Sequence, residues 1–142
     1  MKRPPSSSRK VKDRGSVAVE FALVLPALLL ILFGIIDFGR ALNAQITVTG
    51  AAREGVRLAA LGYSNAAVQA RVAAAAPSLN GVTTTVVASC PAGAGPTADA
   101  QVDVSYTFSF ITPIGAIISF IGGSGLGAPI VLSGQGVMPC ET

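Results

Sequence analysis

From Phe21 to Ile36 the chain runs for sixteen residues without a charged or polar side chain, and Val17, Ala18 and Val19 extend the run past a single interruption at Glu20. As a helix, sixteen residues rise about 24 Å, and the residues before them bring the length near the roughly 30 Å of a bilayer's hydrocarbon core. One membrane-spanning helix is the reading. Pro26 removes one backbone hydrogen bond inside it and predicts a kink or a loosened turn. Asp37 and Arg40 mark the far boundary.

Charge supplies the orientation. The chain has 142 residues and a net charge of +3, but residues 1–15 hold six cations against one acid, and the remaining four Arg and six acids leave the rest negative. Lys and Arg before an apolar span stay on the cytoplasmic side, which places the N-terminus inside and the rest outside. A nucleic-acid interface needs a basic face on a folded domain, and the distribution leaves none, so no nucleic-acid partner is expected. Residues 1–14 are rich in Pro, Ser and basic residues and are expected to be disordered. The low charged fraction, 12%, against about 25% in ordinary soluble domains, agrees with a membrane or polymer setting.

Beyond the span, Ala41 to Leu61 contains no proline, and Ala41, Val48, Ala52, Gly55 and Ala59 recur at three- and four-residue spacing. The helix is therefore expected to continue outside the membrane and to stop at Gly62. Ala51, Gly55 and Ala59 form a row of small residues that admits a close backbone, either of the chain's own sheet or of a neighbouring subunit. Gly50 and Gly55 each cost the helix about 1 kcal/mol relative to Ala, so local loosening or close packing is expected there. Glu54, beside Arg53 and Arg57, reads as part of a charged helix surface.

Ser64 is placed to cap a short helix over Asn65 to Ala75, which Pro77 ends. The period then changes. Gly81 to Ser89 is β-branched and strand-like, and Ala100 to Phe110 alternates apolar and polar at every position. Pro129 to Met138 is a weaker third strand. The connection from Thr112 to Ala128 is apolar and Gly-rich; core, membrane contact and subunit contact are all open to it. The fold class is α+β: a long N-terminal helix, a short second helix and a three- or four-stranded antiparallel sheet on the helix's outer half. Four segments follow: a leader 1–15, a transmembrane helix 16–37, its extramembrane continuation 38–62, and a small domain 63–142.

Chemistry-bearing residues are sparse. Histidine is absent and there are two cysteines, Cys90 and Cys140. That set makes neither a nucleophile–His pair nor an ordinary four-ligand zinc site. No catalytic residue, cofactor or metal is assigned. Outside the membrane, two cysteines in a small domain read as one disulfide. Asp103 on the polar face of its strand reads as a solvated carboxylate.

The leader region carries the decisive pattern: Lys10-Val-Lys-Asp-Arg14-Gly15-Ser16-Val-Ala-Val-Glu20-Phe21, then the apolar run. A basic leader ending in Gly, a Glu at the fifth position after it and an apolar helix beyond resemble a prepilin. Gly15 is expected to leave an extended, unhindered bond at the membrane face. A carboxylate near the centre of a span costs a few kcal/mol, less near its edge, and a cation such as the amino terminus at Ser16 of a neighbouring subunit would offset it.

The stretch from Arg14 to Leu61 resembles the TadE-like proteins of tight-adherence pilus systems, through Val19-Glu20-Phe21-Ala22, Leu25-Pro26, Asp37-Phe38-Gly39-Arg40 and Ala51-Ala52-Arg53-Glu54-Gly55-Val56-Arg57. The remainder matches only in being β-rich with an apolar connection. The resemblance implies a minor pilin or pseudopilin, cleaved between Gly15 and Ser16 by a prepilin peptidase, and the lack of a converging set of reactive side chains leads to the expectation that the chain is not an enzyme. Glu20 and Phe21 would serve assembly. Its partners would be other pilins and minor pilins and the assembly platform in the cytoplasmic membrane.

Two other readings remain. An ordinary signal peptide cut after Ala44 would make an exported or anchored protein without a pilus role, although Leu42, Asp37, Arg40 and Glu20 fit such a signal poorly. A membrane-anchored enzyme would have to use Glu54, Asp99, Asp103 or Glu141, and no constellation of these converges.

Overall fold

The computed structural model describes residues 10–113, 115 and 127–141. Expectations for residues 1–9, and for 114 and 116–126 of the apolar connection, lie outside them. The chain divides into two units, Met1–Ile36 and Asp37–Thr142. The first helix, α1, runs from Lys10 to Ala60 with Pro26 inside it. It begins before Gly15, so residues 10–14 are helical where disorder was expected. Nothing between Lys10 and Ser16 except Gly15 opposes the helix, and one glycine costs only about 1 kcal/mol.

In the first unit α1 exposes its apolar side chains: Val17, Phe21 and Leu23 are each more than 60% accessible. The helix is long and apolar enough to cross a membrane. Lipid is the surrounding that would remove those side chains from water.

The second unit holds the part of α1 from Asp37 onward, then α2 (Asn65–Ala75), β1 (Thr83–Ala88), β2 (Asp99–Phe108) and β3 (Ile130–Pro139). The strands form an antiparallel sheet in the order β1-β2-β3. This is the expected α+β arrangement, with three strands among the described residues. α1 ends where Gly62 adopts φ +76°, with Gly62 N–H donating to the Ala59 carbonyl and Tyr63 N–H to that of Leu58. This is a glycine-terminated helix end in which otherwise unmet carbonyls find donors. The Ser64 hydroxyl accepts from Ala67 N–H at 3.4 Å and starts α2.

The core lies between these layers. Val48, Ala51, Ala52, Val56, Ala59 and Ala60 of α1 meet Val68 and Val72 of α2 and Ala100, Val102 and Val104 of β2. The stripe expected from the sequence is thus buried by the chain's own elements. A Cβ on Gly55 would come within 2.6 Å of Val72 Cγ2, so the glycine admits α2 against α1. At Gly50 a Cβ would meet nothing within 4 Å, and the structure gives no packing reason for that glycine. On β3, Gly134 and Gly136 pair with Val104 and Val102 across the ladder. Their Cα atoms face the backbone of α1: added Cβ atoms would lie 2.9 Å from Thr49 Cα and 2.6 Å from the Ala52 carbonyl oxygen. The two glycines let strand and helix approach more closely than any side chain allows.

Candidate functional site

Gly15, Ser16, Glu20 and Phe21 all lie on α1 and are exposed. Gly15 is helical here, so the expected extended bond is not what the structure has. A peptidase acting there would have to unwind about one turn, a modest cost at a glycine. Ser16 and Glu20 stand four residues apart, which puts them on one face of the helix about 6 Å apart along its axis. Among the described residues, nothing hydrogen-bonds or ion-pairs with the Glu20 carboxylate. What this constellation can do is bind a cation, because a carboxylate within an apolar helix gains most from an opposite charge.

At the start of the second unit the structure shows a site the sequence reading did not find. Asp37, read there as the far boundary of the span and as part of the Asp37-Phe38-Gly39-Arg40 motif but not as a buried group, is 1% exposed. Its carboxylate accepts from the Thr112 hydroxyl, from Ile111 N–H at 3.4 Å and from the Arg40 guanidinium at 3.3 Å. Arg40 also lies over the Phe108 ring, 5.1 Å from its centroid, and Phe108 meets Phe110 edge-to-face at 5.4 Å. A buried carboxylate is tolerated only when its lone pairs are met, and here three donors meet them. The group fixes the chain just after β2 onto the first turn of the unit. The expected strand face included Phe110, but β2 stops at Phe108 because the following residues turn to reach Asp37.

The other end of the sheet is tied covalently. Cys90 and Cys140 form a disulfide, with Cα atoms 5.7 Å apart. Cys90 N–H donates to the Ala59 carbonyl at 3.2 Å and Glu141 N–H to that of Ala60 at 3.5 Å, so the chain beside each sulfur also caps the end of α1.

The remaining polar groups form surface links. Glu54 does not pair with Arg53 or Arg57 as its spacing suggested. It accepts from Arg71 of α2, at 2.7 Å from one guanidinium nitrogen and 3.2 Å from Nε. The Arg71 hydrogen bond, then its charge, with a smaller contribution from Arg57, holds the Glu54 carboxyl below its ordinary range. Asp103 accepts from the Gln135 and Gln101 side-chain amides at 3.0 and 3.4 Å on the open face of the sheet. Among the described residues, no three His, Cys, Asp or Glu gather as metal ligands.

No curated protein and no solved structure gives a significant match to this chain. A family model does. Residues 15–57, beginning at the glycine of the leader pattern and including Glu20 and Asp37, match the model described as TadE-like protein, so the chain carries a TadE-like N-terminal segment on its long helix.

Proposed function

We propose that this chain is a structural and assembly subunit, a minor pilin or pseudopilin of a tight-adherence pilus, held in the cytoplasmic membrane by residues 16–37 before assembly. The observation that carries this reading is the TadE-like match over residues 15–57, which starts at Gly15 and runs through an apolar helix with a lone carboxylate. The basic leader stays in the cytoplasm, the second unit faces outward, and a prepilin peptidase removes residues 1–15. Glu20 then meets a cation in the assembled state, the amino group of Ser16 on a neighbouring subunit, while Phe21 and the apolar face pack among other pilins. Its remaining partner is the membrane assembly platform. Its role is mechanical, not catalytic.

Two measurements in the native host test the reading together. Mass spectrometry should find a mature chain beginning at Ser16, with the leader retained in Gly15→Val, and the protein should co-purify with sheared pili. A chain that keeps Met1 or Lys2, or begins at Gln45, refutes the processing. A correctly processed chain that never accompanies pili restricts the role to the membrane.

A further inference from the structure

The second unit has two chemically different ends. Asp99 and Glu141 lie near the disulfide, at the end of the sheet beside Ala59 and Ala60. The opposite end carries Phe38, Ile111 and Ile130, exposed to 66%, 72% and 41%. There the one acid, Asp37, is buried, and Arg40 keeps its side chain 40% exposed. No charged residue occurs anywhere from 104 to 140. Exposed apolar side chains without a nearby acid, accompanied by a cation, suit a surface of lipid headgroups.

Chain connectivity ties this end to the apolar run. Asp37 directly follows Ile36, the last residue of the apolar run. Phe38 and Arg40 come only two and four residues after Ile36, and the polar layer on each side of the hydrocarbon is roughly 5–7 Å deep. The hydrogen bond from Ile111 N–H to Asp37 holds Ile111 at the level of Asp37. Ile130 pairs with Phe108, whose ring lies under Arg40. A cleft of about 170 Å³ lined by Arg40, Asn43, Ser78 and Tyr106 opens at the same end. Arginine there finds phosphate oxygens at its own depth.

We infer that this end of the second unit docks on the lipid headgroup layer, with Phe38, Ile111 and Ile130 entering the interface and the Asp37 hydrogen bonds holding Ile111 against it. The inference rests on the reading that residues 16–37 span the membrane. It adds that the second unit itself makes a contact with lipid, so entry into any fibre must detach it.

The chain contains no tryptophan, so single-Trp variants each report one position. The full chain is reconstituted at one copy per nanodisc, with ordinary or brominated phospholipid, as Leu28→Trp, Ile111→Trp, Ile130→Trp and Val87→Trp. Leu28 lies in the span and Val87 near the disulfide end of the sheet. Trp at 28 should be strongly quenched, and Trp at 111 and 130 should lose roughly half their emission, as expected for side chains seated about 5–10 Å into the interface. Trp at 87 should be unaffected. Ile130→Trp keeps the test intact if Ile111→Trp fails to fold. Quenching at 28 with positions 111 and 130 behaving like 87 overturns the docking while the span stands. No quenching at 28 overturns the span and the docking with it. Protection of 111 only in discs holding two copies assigns the surface to a second chain and overturns the lipid contact.

Discussion

Replacing Gly136 with alanine should separate β3 from α1. The new Cβ would lie 2.6 Å from the Ala52 carbonyl oxygen, 2.8 Å from Val56 Cγ1 and 3.0 Å from the Ala52 carbonyl carbon. Ordinary carbon–oxygen contact begins near 3.3 Å, so the overlap with the carbonyl is about 0.7 Å. Two of the three obstructing atoms are helix backbone, which cannot rotate away, and the strand must shift. Overpacking of this kind costs about 1–3 kcal/mol. In a unit of this size each kcal/mol lowers the melting temperature by roughly 4–6 °C, so Gly136→Ala should melt about 4–18 °C lower. Gly50→Ala gives the opposite sign: its Cβ meets nothing, and alanine in a helix gains about 1 kcal/mol over glycine. The assay is thermal melting of the full chain in nanodiscs, followed by near-ultraviolet circular dichroism of its two tyrosines, Tyr63 and Tyr106. That signal reports the second unit, which holds both tyrosines, whereas helical signal from the apolar first unit is expected to survive the transition. Gly136→Ala melting at or above the wild-type temperature would refute the close approach of strand and helix.

Three further outcomes follow from the same contacts. The Cys90–Cys140 bond closes a separation of 50 residues, so the double serine variant should lose up to about 4 kcal/mol in the chain-entropy account, read as the melting shift that reductant produces in wild type and not in the variant. Glu54 has a lowered folded pKa, so its link to Arg71 is at full strength above the ordinary glutamate value and is lost as pH falls through the folded value; Glu54→Gln should flatten the acid limb of the melting-temperature profile, and an unchanged limb would show that the link contributes nothing. Glu20→Ala should still insert in the membrane yet impair piliation when it is the sole copy, and normal piliation counted by electron microscopy would make that carboxylate a passenger.

What the sequence revealed depended on how far apart the interacting residues lie. α2 was legible to the residue because its cap, Ser64, and its stop, Pro77, are local signals. The alternation of β2 gave the right inward face, but it overran the strand's end, which is decided by hydrogen bonds to Asp37 across 74 and 75 residues. Periodicity carries no trace of such a bond. Glu54 shows the same limit: Arg53 and Arg57 are its neighbours in sequence, while its actual partner, Arg71, arrives when α2 folds back across α1. Pro129 to Met138 read as the weaker strand, and Gly134 and Gly136 within it are, in the folded unit, the positions where helix and strand backbones meet.

The change of side-chain size along α1 accounts for the rest of the design. Up to Ile36 its apolar residues are mainly Leu, Ile, Val and Phe, side chains that lipid solvates. From Ala44 onward the buried positions are Ala, Gly and Val, because a sheet and a second helix press directly on the backbone. Among the described residues of the second unit, Phe108 is the one large buried apolar side chain, and the rest of the core is valine, alanine and cysteine. A core of that kind buries little area per residue, and at roughly 25 cal/mol per Å² it yields limited stabilisation. Both ends of the sheet are accordingly tied to α1 by other means: three hydrogen bonds on Asp37 at one end, and a disulfide flanked by helix-capping amides at the other. Loss of either tie should loosen the end it serves before it unfolds the valine core between them. Hydrogen exchange resolved by residue would show this as early opening near Ile111 in Asp37→Asn, and near Cys90 in the reduced protein, with Val102 and Val104 still protected. Simultaneous exchange of all three regions in Asp37→Asn would mean that the unit has a single cooperative core and that Asp37 belongs to it.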